Sequence, residues 1–148
     1  MLKVLFLCTG NSCRSQMAEG WARHLFPREF EAYSAGTAPH GPYPRAVKVM
    51  AEAGVDISKH RSKAFAEFKD RDFDLVVTVC DKARESCPVY FGRAKKLHQS
   101  FADPPALAKG EKDDESALSH YREVRDDIRA FVATLPAILE PKENANEP

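Results

Sequence analysis

No hydrophobic run in these 148 residues is long enough to cross a bilayer. The apolar opening at 2–7 is also too short for the core of a secretory signal, and Lys3 interrupts it. An excess of charge of either sign is missing too. Lys and Arg total 22, Asp and Glu total 22, and the formal net charge is zero. That balance points away from nucleic acid and from membranes as partners. The basic group Arg93, Lys95 and Lys96 is too small to alter this. The histidines His24, His40, His60, His98 and His120 are scattered, with no pair at metal-site spacing. There is no internal repeat and no linker-like stretch. The expected setting is the cytoplasm. Thiols are kept reduced there, so the four cysteines point to catalysis or metal binding sooner than to a disulfide framework.

What the chain does contain is enough apolar residue for one core: 43% of the total, with 9% aromatic. One domain is expected over residues 1–140, followed by a polar, flexible tail at 141–148. Residues 2–7 read as a buried parallel strand, being short, apolar and followed by turn chemistry. Met17, Trp21 and Leu25 recur at helical spacing within 15–26, with Ser15 as a plausible N-cap and Pro27 as a stop. A second strand is expected at 30–34 and a helix at 45–53, with Gly54 closing the helix. A short helix is expected at 62–68. The β-branched run 73–79 predicts a third strand and 94–98 a fourth. The stretch 115–135 reads as an amphipathic helix with Leu118, Tyr121, Val124, Ile128 and Phe131 on one side. Strands alternating with helices predict an α/β domain with a parallel sheet and helices on both faces. Ligands bind such sheets at the carboxyl ends of the strands, where Cys8 and Cys80 would both emerge.

The segment Cys8-Thr9-Gly10-Asn11-Ser12-Cys13-Arg14-Ser15 directly follows the first strand. A tight loop feeding a helix N-terminus converges backbone N–H groups on an anion. Asn11 tolerates a left-handed backbone and can hydrogen-bond within the loop. Arg14 adds a planar, permanently charged fork suited to two oxygens. The same field is expected to lower the pKa of Cys8, and Ser15 could donate to its sulfur. Cys13 is expected to be structural. Cys80 and Cys87 lie seven positions apart with charged residues between them. They miss the usual zinc-ligand gaps. That leaves buried packing residues or a relay of thiolate attacks, with the relay favoured. Asp103 precedes Pro104 and reads locally as a turn-forming aspartate.

Cys8-x5-Arg14-Ser15 after an N-terminal strand resembles the low-molecular-weight protein tyrosine phosphatase superfamily. The continuation Gln16-Met17-Ala18-Glu19-Gly20 is similar to its thioredoxin-coupled arsenate reductase branch, whereas phosphatases usually carry proline where Gln16 stands. The similarity extends through Ser34-Ala35-Gly36-Thr37, Asp74 to Cys80, Cys87-Pro88 and Phe101-Ala102-Asp103-Pro104. It implies a three-layer αβα sandwich on a four-stranded parallel sheet. It also implies reduction of arsenate, with phosphate or sulfate as mimics. Cys8 would be the nucleophile, Arg14 the oxyanion ligand and Asp103 the general acid. Cys80 and then Cys87 would resolve the intermediate, ending in a Cys80–Cys87 disulfide that thioredoxin reduces. Bridging these two requires Cα atoms within about 7 Å, whereas a helix sets residues seven apart roughly 10 Å apart. The segment is therefore expected to be helical when reduced and rebuilt when oxidised. In some relatives potassium sits beside the loop, on positions equivalent to Asn11, Glu19, Ser34 and an acidic residue. Lys63 stands at the acidic position here, so potassium is not expected and the lysine ammonium would take its place. No bound cofactor is implied, and a monomer is the default. The alternatives are a tyrosine phosphatase, needing only Cys8, Arg14 and Asp103, and a non-catalytic oxyanion-binding protein. Phosphatases more often carry a tyrosine just after the Asp-Pro pair, and none is present there.

Overall fold

The computed structural model describes residues 1–11, 13–37, 41, 43–81 and 94–139. Four strands, β1 (Leu2–Cys8), β2 (Phe30–Gly36), β3 (Leu75–Thr78) and β4 (Lys95–His98), form one sheet in the order β2-β1-β3-β4. Every neighbouring pair is parallel. This is the four-stranded parallel α/β arrangement that the alternating pattern predicts. The helices are α1 (Arg14–Leu25), α2 (Pro44–Glu52), α3 (Pro104–Ala108), α4 (Asp114–Val132) and α5 (Leu135–Ile138).

Val4, Leu5, Phe6 and Leu7 in the central strand are each fully buried. A strand whose side chains alternate between faces can be buried throughout only if both faces are covered. On one side α1 packs against β1 and β2, and α2 and α4 pack against α1. Ser34 marks that side, since its hydroxyl bonds to Glu19 of α1. The preceding residue of β2, Tyr33, points the other way and meets Phe68 and Phe73 with ring centroids 5.6 and 5.8 Å apart. Each buried Leu, Val or Phe contributes about 1.5–3 kcal/mol. The end of β1, and Cys8 with it, is therefore fixed by the core rather than by the loop that follows.

Two local expectations change. The α1 helix begins at Arg14 with Cys13 at the N-cap, and no side chain caps it. Ser15 is thus inside the helix, and the first-turn N–H groups are left to the loop. The 62–68 stretch is not an α-helix. Ala64 bridges to Gly36 and only Phe65–Phe68 turns, as a 3-10 element. Docking of this segment against the loop takes precedence over its helical spacing. The pair Pro104 and Pro105 opens the short helix α3, the position where proline's missing N–H costs nothing. Gly54 closes α2 with φ of 85°, as expected of a helix-ending glycine.

Candidate active site

The carboxyl ends of β1 and β3 lie side by side, with Leu7 in register with Thr78. Cys8 ends β1, and Cys80 follows β3 after Val79, whose N–H bonds to Leu7 O at 2.9 Å. The two thiols are therefore brought together by sheet register, across 72 residues of sequence. Their side chains are hydrogen-bonded to each other. The Thr9 hydroxyl also lies 3.4 Å from the Cys80 sulfur. A pocket of about 170 Å³ opens here, lined by Cys8, Thr9, Gly10, Cys13, Arg14, Tyr43 and Asp103.

Asn11 holds the loop's shape. It is buried, with a left-handed φ of 46°. Its Nδ2 donates to Ser15 Oγ at 2.9 Å, and its Oδ1 accepts from the Lys63 backbone N–H at 2.8 Å. Its carbonyl accepts from the Ser62 hydroxyl at 2.6 Å. The Ser15 hydroxyl thus belongs to the loop's internal network. No bond from it to the Cys8 sulfur occurs among the described residues. Ser12 and Cys87 lie outside the described residues, as do most of the segment between Cys80 and Cys87 and the tail at 141–148.

Arg14 is held from the far side of the pocket. Its Nη1 donates to Phe101 O at 3.0 Å and its Nη2 lies 3.7 Å from Asp103 Oδ1. Its Nε is buried and has no hydrogen-bond partner among the described residues. A buried guanidinium donor without a partner is costly, and this one is in the wall of an anion-sized pocket. Asp103 is half exposed, at 46%, so its carboxyl reaches both solvent and the pocket mouth.

The field of Arg14 does not decide the protonation of Cys8. Its pKa is pushed up, first by the hydrogen bond with Cys80 and then by burial; Arg14 and the Thr9 N–H oppose this without reversing it. Two adjacent thiols resist ionising together. A Cys8 thiol lowered by the loop, as the sequence suggests, is corrected by the neighbour that sequence reading places nearby but does not weigh. Cys13 is also raised, by burial above all, as befits a packing residue.

Beneath the loop, Glu19 is 2% exposed. Its carboxylate accepts from Ser34 Oγ at 2.7 Å and pairs with Arg23 at 3.2 Å. The Lys63 ammonium lies 3.8 Å from it and donates to Arg61 O at 2.7 Å. The Lys63 side chain is only 12% exposed, so it is not a solvated surface charge. Burial lowers its pKa, and Glu19 opposes that. Asn11, Glu19, Ser34 and Lys63 are thus gathered in one place, although Asn11 is met by the Lys63 backbone and not by its ammonium.

Two members of this network escape a sequence reading. Gln16 is fully buried, and its Nε2 donates to Asn11 O, Asn11 Oδ1 and Arg61 O at 3.0–3.1 Å. His60 Nδ1 sits 2.9 Å from Gln16 Oε1. Burial lowers the His60 pKa, so the neutral ring donates its Nδ1–H to that oxygen. The available signal for Gln16 was its place in the motif, where phosphatases usually carry proline. Tyr43, flanked by Pro42 and Pro44, supplies an aromatic ring at the pocket mouth from a loop other than the one after Asp103.

Similarity to known proteins agrees with this geometry. The chain is 46% identical over 125 residues to the arsenate reductase of Bacillus subtilis, covering 84% of this chain and 88% of that one. It is 44% identical over 131 residues to the arsenate reductase of Halalkalibacterium halodurans, covering 88% and 92%. Among solved structures, an arsenate reductase in the phosphate binding state superposes with a TM-score of 0.79 at 31% identity, covering 95% of this chain and 100% of that one. Residues 3–145 match the family described as low molecular weight phosphotyrosine protein phosphatase. With a cysteine at the end of β1, an arginine opening α1 and an aspartate across the pocket, this chain belongs to the low molecular weight phosphotyrosine protein phosphatase family.

Proposed function

We propose that this protein reduces arsenate to arsenite by a three-cysteine relay and draws its electrons from thioredoxin. The observation that carries the reading is the placement of Cys80 against Cys8 and Thr9, two residues that line the pocket together with Arg14 and Asp103. Phosphate ester hydrolysis has no use for a second thiol there.

Arsenate binds against the loop N–H groups and the α1 N-terminus, with the Arg14 fork, including its unpartnered Nε, on its oxygens. Cys8 gives its proton to the bound arsenate dianion and attacks arsenic(V) as thiolate, and Asp103 gives a proton to the departing oxygen. Cys80, as thiolate, then attacks the Cys8 sulfur. The S–S bond forms, the S–As bond breaks, and arsenic leaves with that electron pair as arsenite. Cys87 attacks Cys80, releasing Cys8, and thioredoxin reduces the Cys80–Cys87 bond. Thr9 Oγ stabilises Cys80 for its attack. The same reading has the protein acting as a monomer in the cytoplasm, with residues 1–140 as one domain. Tyr43 at the mouth supports a weak second activity on aryl phosphates, which needs only Cys8, Arg14 and Asp103.

The test is NADPH consumption with thioredoxin, thioredoxin reductase and arsenate. Wild type should turn over, and Cys87→Ser should stop after one cycle. Aryl phosphate hydrolysis by both proteins without arsenate-dependent turnover would make the protein a phosphatase instead. The ammonium of Lys63, 3.8 Å from Glu19, already supplies a cation under the loop. Replacing sodium by potassium at constant ionic strength is therefore expected to leave the rate unchanged. A clear rise would mean that Lys63 does not fill that role.

A further inference from the structure

Cys80 is bracketed by a side-chain bridge that the relay chemistry does not itself require. His98 ends β4 in register with Thr78 of β3. Its Nδ1 lies 2.7 Å from Thr78 Oγ1 and its Nε2 lies 2.9 Å from Asp81 Oδ1. The imidazole therefore ties the residue two before Cys80 to the residue just after it. The backbone on either side is also fastened. Gln99 N–H donates to Thr78 O at 3.0 Å, and Phe101 N–H donates to Val79 O at 3.2 Å. Asp81 is 78% exposed, and His98 is the partner that fixes its carboxylate.

We propose that His98 is a positioning residue: with Thr78 and Asp81 it forms a clasp that holds the Cys80 sulfur against Cys8 for the first resolving attack. The proposal rests on the relay reading. The bridge is satisfied in either protonation state of the ring. A neutral imidazole takes the Thr78 hydroxyl proton on Nδ1 while Nε2–H donates to Asp81. A charged one donates at both ends, since the hydroxyl can turn. The step it serves is the one in which the Cys80–Cys8 bond forms and the Cys8–arsenic bond breaks. Attack of this kind needs the two sulfurs aligned, and small displacements of the attacking group are expensive. Initial attack on arsenate and ester hydrolysis form no bond to Cys80, so loosening the clasp slows neither.

Asp81→Ala and His98→Ala are the variants to make, and the exposed Asp81 position makes the first safe for folding. Each should lower kcat for arsenate about five- to tenfold, with KM for arsenate unchanged and aryl phosphate hydrolysis no slower. The double variant should be no worse than either single, because both remove one device. Asp81→Asn, whose amide oxygen still accepts from Nε2–H, should restore most of the rate. Independently of turnover, alkylation of Cys80 by iodoacetamide, mapped by mass spectrometry, should be severalfold faster in Asp81→Ala. Unchanged Cys80 alkylation in that variant overturns the clasp, as does an equal fall in phosphatase activity. Faster alkylation in a protein whose wild type reduces no arsenate would keep the clasp and overturn the relay.

Discussion

Cys80→Ala is expected to lose thioredoxin-dependent arsenate turnover by at least about a thousandfold, while hydrolysis of aryl phosphate survives. Without Cys80, the thiol left beside Cys8 among the described residues is Cys13, whose burial raises its pKa and makes it a poor nucleophile for the Cys8 sulfur. The nucleophile itself should improve. The hydrogen bond with Cys80 is the largest cause of the raised Cys8 pKa, and the Cys80 charge is a further cause in the same direction. Removing both leaves burial opposed by Arg14 and the Thr9 N–H, so the Cys8 pKa must fall. A thiol reacts as thiolate above its pKa, so the pH midpoint of Cys8 alkylation should move to lower pH in Cys80→Ala. A midpoint that stays put or rises would show that the two thiols do not share a proton. Cys8→Ser provides the contrast, since it should abolish both activities.

The second large effect is expected at Gly36, far in sequence from any chemistry. Its N–H donates to Lys63 O at 2.7 Å, and a Cβ there would lie 2.6 Å from Thr9 O and 2.8 Å from both Asn11 N and Cys8 O. All three are backbone atoms of the anion loop, with no side chain able to swing away. Gly36→Ala must therefore push the loop, costing about 1–3 kcal/mol of stability as overpacking does. A shift of about 1 Å in the loop would cost on the order of a hundredfold in rate. Thermal denaturation together with phosphatase kcat/KM would measure both. Gly20→Ala is the control. There a Cβ meets only side chains, the nearest being Ile57 Cγ2 at 2.8 Å, and alanine gains about 1 kcal/mol of helix propensity. Its activity should stay within about twofold of wild type.

The parts of this site that a sequence can disclose are those whose geometry is local. Cys8 ending an apolar strand, Arg14 opening a helix and Asn11 at a left-handed turn each follow from a few adjacent residues. Cys80 is legible for a related reason: parallel register brings the ends of β1 and β3 together. What escapes depends on contacts between distant segments. Gln16 is an ordinary helix residue until the loop folds back to offer its amide two acceptors on Asn11 and the 60–63 segment docks to add a third, Arg61 O. The same docking turns the 62–68 stretch into a bridge and a 3-10 turn. The Cys8 pKa misleads because Arg14 is visible in the motif whereas the hydrogen bond to Cys80 is made only in three dimensions. Tyr43 shows that an aromatic wall can come from a loop no motif includes.

Trp21 gives the molecule an optical gauge. It is the only tryptophan in the chain and is 3% exposed. Its indole N–H donates to Arg125 O across the α1–α4 contact at 3.2 Å, and the Arg129 guanidinium lies 5.3 Å from the ring centroid. Emission from this one fluorophore therefore reports whether α4 is seated on α1, the helix whose first turn frames the pocket. The blue-shifted signal of a dry indole and its red shift on wetting would follow the loosening of that seam directly, in the native sequence and without any attached dye.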